Sequence, residues 1–580
     1  MHLIDLLEEE LTTVLAGLGY TTSAKLEISA RPDLGDYQYN GSFNLAKEYR
    51  KNPNQIADEI IAAIKDNENI KEISNVGGFI NITLSDEALI KHIKESLMNE
   101  YVNRYRVSGQ SILIDYGGAN VAKALHVGHL RPANHGEAIK RLFASCGYKT
   151  IGDVHLGDWG RPMGLIIREI KERMPDLCYF DENFEGEYPK ECPVNIDDLN
   201  EIYPIASTKA KEDEDYLNQA REITAKLQNR HPGYYALWQS FYKLSVADIK
   251  KTYDKLNTHF DLWEGEYDAD EFVPETIKVI DNTGLLHESE GAMVIDVKEE
   301  TDNKEMPPVI IKTSAGGVTY ATTDLATLLS RFKRFDLDNI LYVTDQRQAL
   351  HFTQIFRAGY KTGIIPKRTK CEHLGLGTMN GPDGKPFKTR DGGVLSLNGL
   401  IELVTTECRK VIKDNIKEED KDALAEELAI AAIKYGDLLP NPTSDYIFDP
   451  VKFSDINGKT GPYLVYSTVR MNSLLTKAKE AGITPGKYLN IHTKEEREII
   501  LNILKIKSVL EKCLTTRAVN ELAEFIYKLT SSFNAFYSEH EVLSEEDKEK
   551  QTNWVTLTGL VYDLNKTLLD ILALKVPDKI

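Results

Sequence analysis

The stretch from Ser111 to Gly147 leaves few folds open to this chain. Ile112, Leu113 and Ile114 form a short apolar run ending in Asp115-Tyr116 and the paired glycines Gly117-Gly118, the pattern of a buried strand entering a turn. From Gly128 the spacing of Leu130, Ala133, Ala138 and Leu142, closed by Ala144 and Gly147, predicts a helix. His126 and His129 then fall at the helix N-terminus, where free backbone N–H groups and the dipole favour an anion. With Lys123 just before them, the two imidazoles predict a cationic cradle, and a triphosphate is the ligand it suits. Histidines at this spacing could equally ligate a metal or lie solvated in a loop. Neither G-x-x-x-x-G-K-[ST] nor G-x-G-x-x-G occurs in this stretch.

Strand and helix patterns alternate from about 106 to 400, which predicts a parallel sheet covered by helices, a Rossmann-like α/β domain. Lys149–His155 and Asn339–Thr344 read as further strands. Ligands of such sheets bind beyond the carboxyl ends of strands, which places Asp115–Gly118 and Thr344–Gln348 at a site. A charged stretch at about 176–240 reads as an insertion, a support or lid with helix around Ala220–Leu227.

The motifs of this region occur in an order that resembles a known family. Asn120-Val-Ala-Lys-Ala-Leu-His-Val-Gly-His-Leu-Arg131 is similar to the HIGH signature of class I aminoacyl-tRNA synthetases, in the form carried by arginyl-tRNA synthetases. The resemblance continues through Gly157-Asp-Trp-Gly160, Tyr320-Ala-Thr-Thr-Asp-Leu-Ala326, His351-Phe352, Lys385–Gly393 and Thr460-Gly-Pro-Tyr463, and spans nearly the whole chain. It implies ATP-dependent activation of L-arginine to an adenylate and transfer to the 3′ end of tRNA-Arg, releasing AMP and pyrophosphate. Mg²⁺ would be held mainly by the ATP phosphates, with no protein metal site.

The resemblance also implies residue roles. His126, His129 and Lys123 would hold the phosphates, with Gly128 in the same loop. Lys388, with Lys385 as its rival, would be the lysine of the mobile loop that closes over ATP; the loop departs from the class signature Lys-Met-Ser-Lys-Ser. Asp115, Asp324, Tyr320 and Gln348 would bind the arginine side chain, and Asn120 its backbone. An N-cap role for Asp324 is compatible with that assignment. Gly377 and Met379 lie in a segment similar to the one whose backbone receives adenine. Two local departures, Pro132-Ala-Asn134 after the signature and Arg161-Pro-Met163 after Gly157–Gly160, remove none of these residues and suggest a subtype.

The flanking regions have their own patterns. Residues 1–105 read as an α+β module, with Leu3–Leu18 an amphipathic helix, a second helix opening at Pro53, and a strand near Phe79–Ile82. By resemblance this module contacts the outer corner of tRNA, with Tyr37, Gln38 and Asn40 as contacts; a packed tyrosine in a turn is the competing reading. Residues 401–429 read as a connecting helical segment and 430–580 as helical throughout, a bundle in which Leu522, Phe525, Ile526, Leu529, Phe533 and Phe536 recur at helical spacing. By resemblance the bundle binds the anticodon, with Tyr463, Tyr466 and Arg470 stacking on or pairing with bases.

Composition sets outer limits. A chain of 580 residues exceeds a single core, so several domains are expected. Its net charge of −20 disfavours indiscriminate RNA binding but permits a local basic face. No apolar run is long enough to span a bilayer, and the acidic start has no basic run of a secretory signal. Six scattered cysteines without a C-x-x-C pair fit a reducing cytoplasm rather than a zinc ribbon or disulfide framework, and the chain reads as a monomer. Two other readings stay open: a catalytically silent paralogue that binds tRNA or arginine, and a different H-x-G-H enzyme making a small-molecule adenylate. The joint presence of both histidines, Lys123, Asp115 and Asp324 opposes the first, and the two flanking domains oppose the second.

Overall fold

A computed structural model describes residues 3–64, 67–97, 109–314, 316–385, 387, 395–412 and 416–580. The candidate Lys388 and most of the loop around it lie outside the described residues, as do Arg104 and Arg106.

Four parallel strands carry the central domain. Their spatial order is Lys370–Leu376, Asn339–Asp345, Ser111–Tyr116, Lys149–Asp153. Apolar side chains fill Ser111–Tyr116 on both faces, as a strand covered by helices on each side requires. The chain moves outward in one direction from Ser111–Tyr116 to Lys149–Asp153 and later returns to its other side through Asn339–Asp345. The crevice at this reversal is where an open α/β sheet admits ligands. The helix Val127–Ser145 starts there.

The N-terminal module is a four-stranded antiparallel sheet, ordered Leu26–Ile28, Tyr37–Tyr39, Phe79–Leu84, Ile70–Val76, packed with the helices Leu3–Gly17 and Pro53–Ile64. Arg497 of the C-terminal bundle joins the two, donating to Asp36 at 3.0 and 2.8 Å, to Asp86 at 3.2 Å and to the Leu84 carbonyl at 2.9 Å.

Two expectations need correction. The insertion is more helical and longer than its charge pattern suggests: Ile196–Glu212, Glu214–Gln228 and Pro232–Lys255. Its charged residues face water, while Leu199, Ile202, Ile223, Leu227, Leu237 and Phe241 pack with Met163, Ile166 and Ile170 of the helix Arg161–Arg173. It is a support with a core of its own. The reading of 430 onward as helical throughout also fails in detail. Residue 430 lies inside the helix Glu418–Leu438, and the short strand Tyr446–Ile447 pairs in parallel with Met379–Asn380 of the central domain.

Buried polar groups bolt the helix Val127–Ser145 to Glu418–Leu438. Arg131 Nε donates to Asp437 Oδ1 at 2.9 Å, and Asn134 Nδ2 donates to Asp437 Oδ2 at 2.9 Å and to the Lys434 carbonyl at 3.0 Å. Tyr446 Oη donates to the same Asp437 at 2.9 Å. Lys434 is fully buried, and its ammonium donates to the Leu256 carbonyl at 2.5 Å. Burial lowers the Lys434 pKa from 10.5 to about 7, against the opposing pull of Glu137.

The unfolded chain therefore binds more protons than the fold between pH 7 and about 10, so Lys434 makes stability rise with pH across that window. Below about pH 7 its penalty is present in full. We expect Lys434→Met to flatten the rise of the denaturation midpoint between pH 7 and 10. An identical slope in the variant would contradict this origin.

Candidate active site

The loop Gly117–Leu125 leaves the strand, crosses the carboxyl edge of the sheet and enters the helix at His126. Ala122 takes a left-handed backbone at φ 58°, and its N–H donates to Ser245 Oγ of the insertion at 2.6 Å. This turn presents Lys123, which is exposed, with its ammonium 5.8 Å from the centre of the Tyr203 ring of the insertion.

His126 is the N-cap: its Nδ1 accepts from the Gly128 N–H at 3.1 Å, while His129 Nδ1 accepts from the His126 N–H at 3.1 Å. The His126 ring lies over Gly128, where an added Cβ would meet it at 2.9 Å, so this close approach requires glycine. The rings stand 4.0 Å apart between centroids. Burial and then Lys123 lower the pKa of His126. Burial, then His126 and Lys123, lower His129 to about 3. The expected cationic cradle is corrected here: both imidazoles are neutral at neutral pH. With Nδ1 accepting in each, the proton sits on Nε2, so both rings offer N–H donors. Positive charge comes from Lys123 and the helix end.

Residues 395–397 meet this motif. Val127 N–H donates to the Leu395 carbonyl at 3.2 Å and Leu397 N–H to the Leu125 carbonyl at 2.9 Å, while Ser396 caps the helix Leu397–Val411. Gly381 N–H donates to the Lys385 carbonyl at 2.7 Å. Lys385 is exposed.

Asp115, expected to face a guanidinium substrate, has an internal one. Its Oδ2 accepts from Arg331 Nη2 at 2.5 Å, and Arg331, fully buried, also binds Asp153 and donates to Tyr342 Oη at 2.8 Å. Asp115, Asp153 and His155 are the one cluster among the described residues with metal-ligand spacing, and Arg331 is ion-paired to both of its carboxylates.

Asp324 and Tyr320 lie on the first turns of the helix Tyr320–Arg334. Asp324 Oδ2 is 2.6 Å from His351 Nε2, a hydrogen bond that raises the His351 pKa. Tyr320 is 67% exposed, open to a ligand. Beside Tyr320 lies a residue that sequence reasoning missed, Glu266. Burial raises its pKa, and Asp324 adds to the rise. It accepts from Trp159 N–H at 3.3 Å, and a Cβ built on Gly160 would lie 3.3 Å from Glu266 Oε2 and 3.8 Å from Tyr320 Oη. Glu266 belongs to no motif; only the parallel bridge of Leu156 with Gly265 brings it here.

Asn120 is exposed, bridges in parallel to Gly157 and sets its Oδ1 over that glycine, at 2.3 Å from a built Cβ. Gln348 is exposed just past Asn339–Asp345. Gly377 and Met379 are drawn against the segment 442–446: Gly377 N–H donates to the Pro442 carbonyl at 3.0 Å, so that amide is committed internally, and Met379 is buried.

The outlying candidates divide. Tyr37 is only 2% exposed, so no base can stack on it and the packed reading stands. Gln38 donates to Asn81 at 3.0 Å and Asn40 to Glu27 at 2.7 Å. The exposed aromatics of this module are Phe43 and Phe79, with ring centroids 4.6 Å apart. In the bundle, Tyr463 is held by Asn534 at 2.8 Å. Tyr466 and Arg470 line a cavity of about 630 Å³, together with Lys477, Tyr537, His540 and Ile580.

Comparison with known proteins gives concordant matches. Residues 1–84 match the arginyl tRNA synthetase N-terminal domain, 92–450 the class I (R) tRNA synthetase catalytic domain and 464–580 the DALR anticodon binding domain. The chain is 42% identical to the arginine–tRNA ligase of Agathobacter rectalis, covering 100% of this chain and 99% of that one. It is 42% identical to that of Alkaliphilus oremlandii over 95% of each. The crystal structure of arginyl-tRNA synthetase from Plasmodium falciparum superposes with a TM-score of 0.82 at 25% identity, covering 100% and 99% of the two chains. The Thermus thermophilus arginyl-tRNA synthetase shares the fold, with a TM-score of 0.78 at 22% identity and full coverage of both.

The electrostatics predict an order of titration. His351 should titrate above 6.5 and His129 well below it. An NMR titration of labelled histidines should show this, with Asp324→Asn returning His351 downward. A His351 value unaffected by that substitution would remove the proposed partner.

Proposed function

This chain belongs to the arginyl-tRNA synthetase family and is an arginine–tRNA ligase; we propose that Asp324, Glu266 and Tyr320 form the pocket for the arginine guanidinium. One observation carries the assignment. Glu266 and the exposed Tyr320 flank Gly160, and Asp324, one turn along the helix from Tyr320, is near enough to add to the rise in the Glu266 pKa that burial causes. A planar cation between the two carboxylates would relieve the repulsion and satisfy both with charge-assisted bonds. Gln348 borders the same mouth, and Asn120 lies across the loop where it would hold the amino acid backbone. Asp115 acts indirectly, by holding Arg331 and the strand end.

The first reaction is attack of the arginine carboxylate on the α-phosphate of ATP, expelling pyrophosphate. Charge grows on phosphoryl oxygens, and donors already in place stabilise it without reorganisation. His126 and His129 supply Nε2–H donors and Lys123 a point charge; the first amides of the helix are already taken by the Leu395 carbonyl and by His126, so the helix end contributes through its dipole and not through free N–H groups. The loop that closes over ATP supplies Lys388, with Lys385 at its entrance. Mg²⁺ would be held mainly by the ATP phosphates, where it would neutralise their charge; both carboxylates of the acidic cluster below are engaged by Arg331. Gly377 and Met379 shape the adenine side sterically. The terminal ribose hydroxyl of tRNA-Arg then attacks the adenylate carbonyl and releases AMP.

For tRNA recognition, the cavity at Tyr466 and Arg470 supports a site for an anticodon base, with Tyr537 as a second ring and Arg470 and Lys477 for phosphate. Tyr463 shapes it from the bundle. In the N-terminal module Phe79 and Phe43 suit stacking, with Gln38 beside them and Asn40 at the strand end. The protein acts as a cytoplasmic monomer; all six cysteines are free, and among the described residues no helix is long and apolar enough to cross a membrane.

The test is charging of tRNA with labelled amino acids in the presence of ATP and Mg²⁺. Arginine alone, and not lysine, glutamate or cysteine, should be accepted. Asp324→Ala and Glu266→Gln should each raise the arginine KM about ten- to hundredfold, the range for losing a hydrogen bond to a charged group. Equal charging of lysine, or an unchanged KM in both variants, would sink the pocket assignment.

A further inference from the structure

The inserted helices meet the site at a point that no motif marks. The turn between Glu214–Gln228 and Pro232–Lys255 carries Arg230, with its backbone in the left-handed region at φ 60°. Glycine would take that conformation without strain, so an arginine there is held by its surroundings. Its guanidinium carbon lies 4.4 Å from the ring centre of Trp159, 4.4 Å from that of Tyr267 and 5.3 Å from that of Tyr235. Asp270 pairs with it at 3.6 Å.

Trp159 and Tyr267 are the neighbours of the two residues that shape the pocket. Trp159 precedes Gly160, and Tyr267 follows Glu266. The two segments also bind each other directly. Trp159 N–H donates to Glu266 Oε2 at 3.3 Å, and Tyr267 N–H donates to Asp158 Oδ1 at 3.0 Å. The insertion adds further ties on the same side: Trp238 Nε1 donates to the Asp158 carbonyl at 2.7 Å, Gln228 Nε2 to the Trp159 carbonyl at 3.2 Å, and Tyr235 and Tyr267 share a hydroxyl contact at 2.7 Å. Asp158 is itself buried, with its pKa raised to about 8 by that burial, so this seam is held largely by neutral hydrogen bonds and stacked rings.

We propose that Arg230 is a positioning residue for arginine specificity: packed against both Trp159 and Tyr267, whose rings meet edge to face at 77°, it fixes the seam that aims Glu266 at the substrate guanidinium. The inference rests on the assignment of Glu266 to the arginine pocket. A guanidinium, with its wide and weakly hydrated plane, can reach both rings of this edge-to-face pair from one position, which the compact, strongly hydrated ammonium of lysine does poorly. The pocket's carboxylate is thus set by a side chain from the insertion, which gives that insertion a role in amino acid binding without any contact with the amino acid.

The experiment is ATP–pyrophosphate exchange with tRNA present, measured on the full-length protein and its variants Arg230→Ala, Arg230→Lys and Glu266→Gln, with melting temperatures recorded for each. Arg230→Ala should raise the arginine KM about five- to tenfold, leaving kcat and the ATP KM within about twofold, and Arg230→Lys should fall between it and the unaltered protein. A uniform loss in kcat and both KM values, or no change, while Glu266→Gln raises the arginine KM, would overturn the positioning role and leave the pocket intact. An unchanged arginine KM in Glu266→Gln would overturn the pocket assignment and this inference with it. If Arg230→Ala does not fold, Arg230→Lys carries the comparison, with an arginine-specific rise of about threefold expected and none overturning the proposal.

Discussion

A guanidinium sealed beneath the carboxyl edge of the parallel sheet sets the frame for everything above it. Arg331 has no exposed surface, and it ties Asp115 at the end of one strand to Asp153 at the end of the next. Both carboxylates are buried with it, so removing Arg331 would strand two buried acids side by side, a loss of about 3–5 kcal/mol in such settings. The strand ends are therefore fixed, and the loops that leave them start from fixed points. One loop carries Lys123 and the histidines, and the other carries Gly157–Gly160 toward Glu266.

The histidine helix is fixed from its other side by a different chemistry. Arg131 and Asn134 converge on Asp437 in a helix that continues toward the bundle, and Pro132 lies between them in the chain. The phosphate-binding end of the helix and the far domain thus share one rigid piece. At that end, burial keeps the histidines neutral, so they donate hydrogen bonds without repelling Lys123. On the proposed reading, an uncharged donor pair beside a single cation suits a reaction in which negative charge shifts toward the leaving pyrophosphate.

Much of this was legible in the chain. The strand Ser111–Tyr116 and the helix beginning at the histidines follow from apolar spacing, because both elements are buried and their patterns are strong. The insertion was underestimated because its exposed faces are charged while its apolar positions are spread over three helices. Asp115 could be placed at a strand end but not paired: its partner Arg331 is 216 residues away. Glu266 and Arg230 left no local signal at all. Their roles arise from a bridge and a stack formed only when distant segments meet. Tyr37 misled for a simpler reason, since a tyrosine in a polar turn can face either way and this one faces the core.

The central claim is that internal and substrate guanidinium groups are read by separate carboxylates. The most direct measurement is a crystal structure of the protein with bound arginine. The account predicts that the substrate guanidinium lies within hydrogen-bonding distance of Asp324 and Glu266, while Arg331 keeps both Asp115 and Asp153. A substrate guanidinium bound to Asp115, with Arg331 displaced and Glu266 turned away, would contradict it.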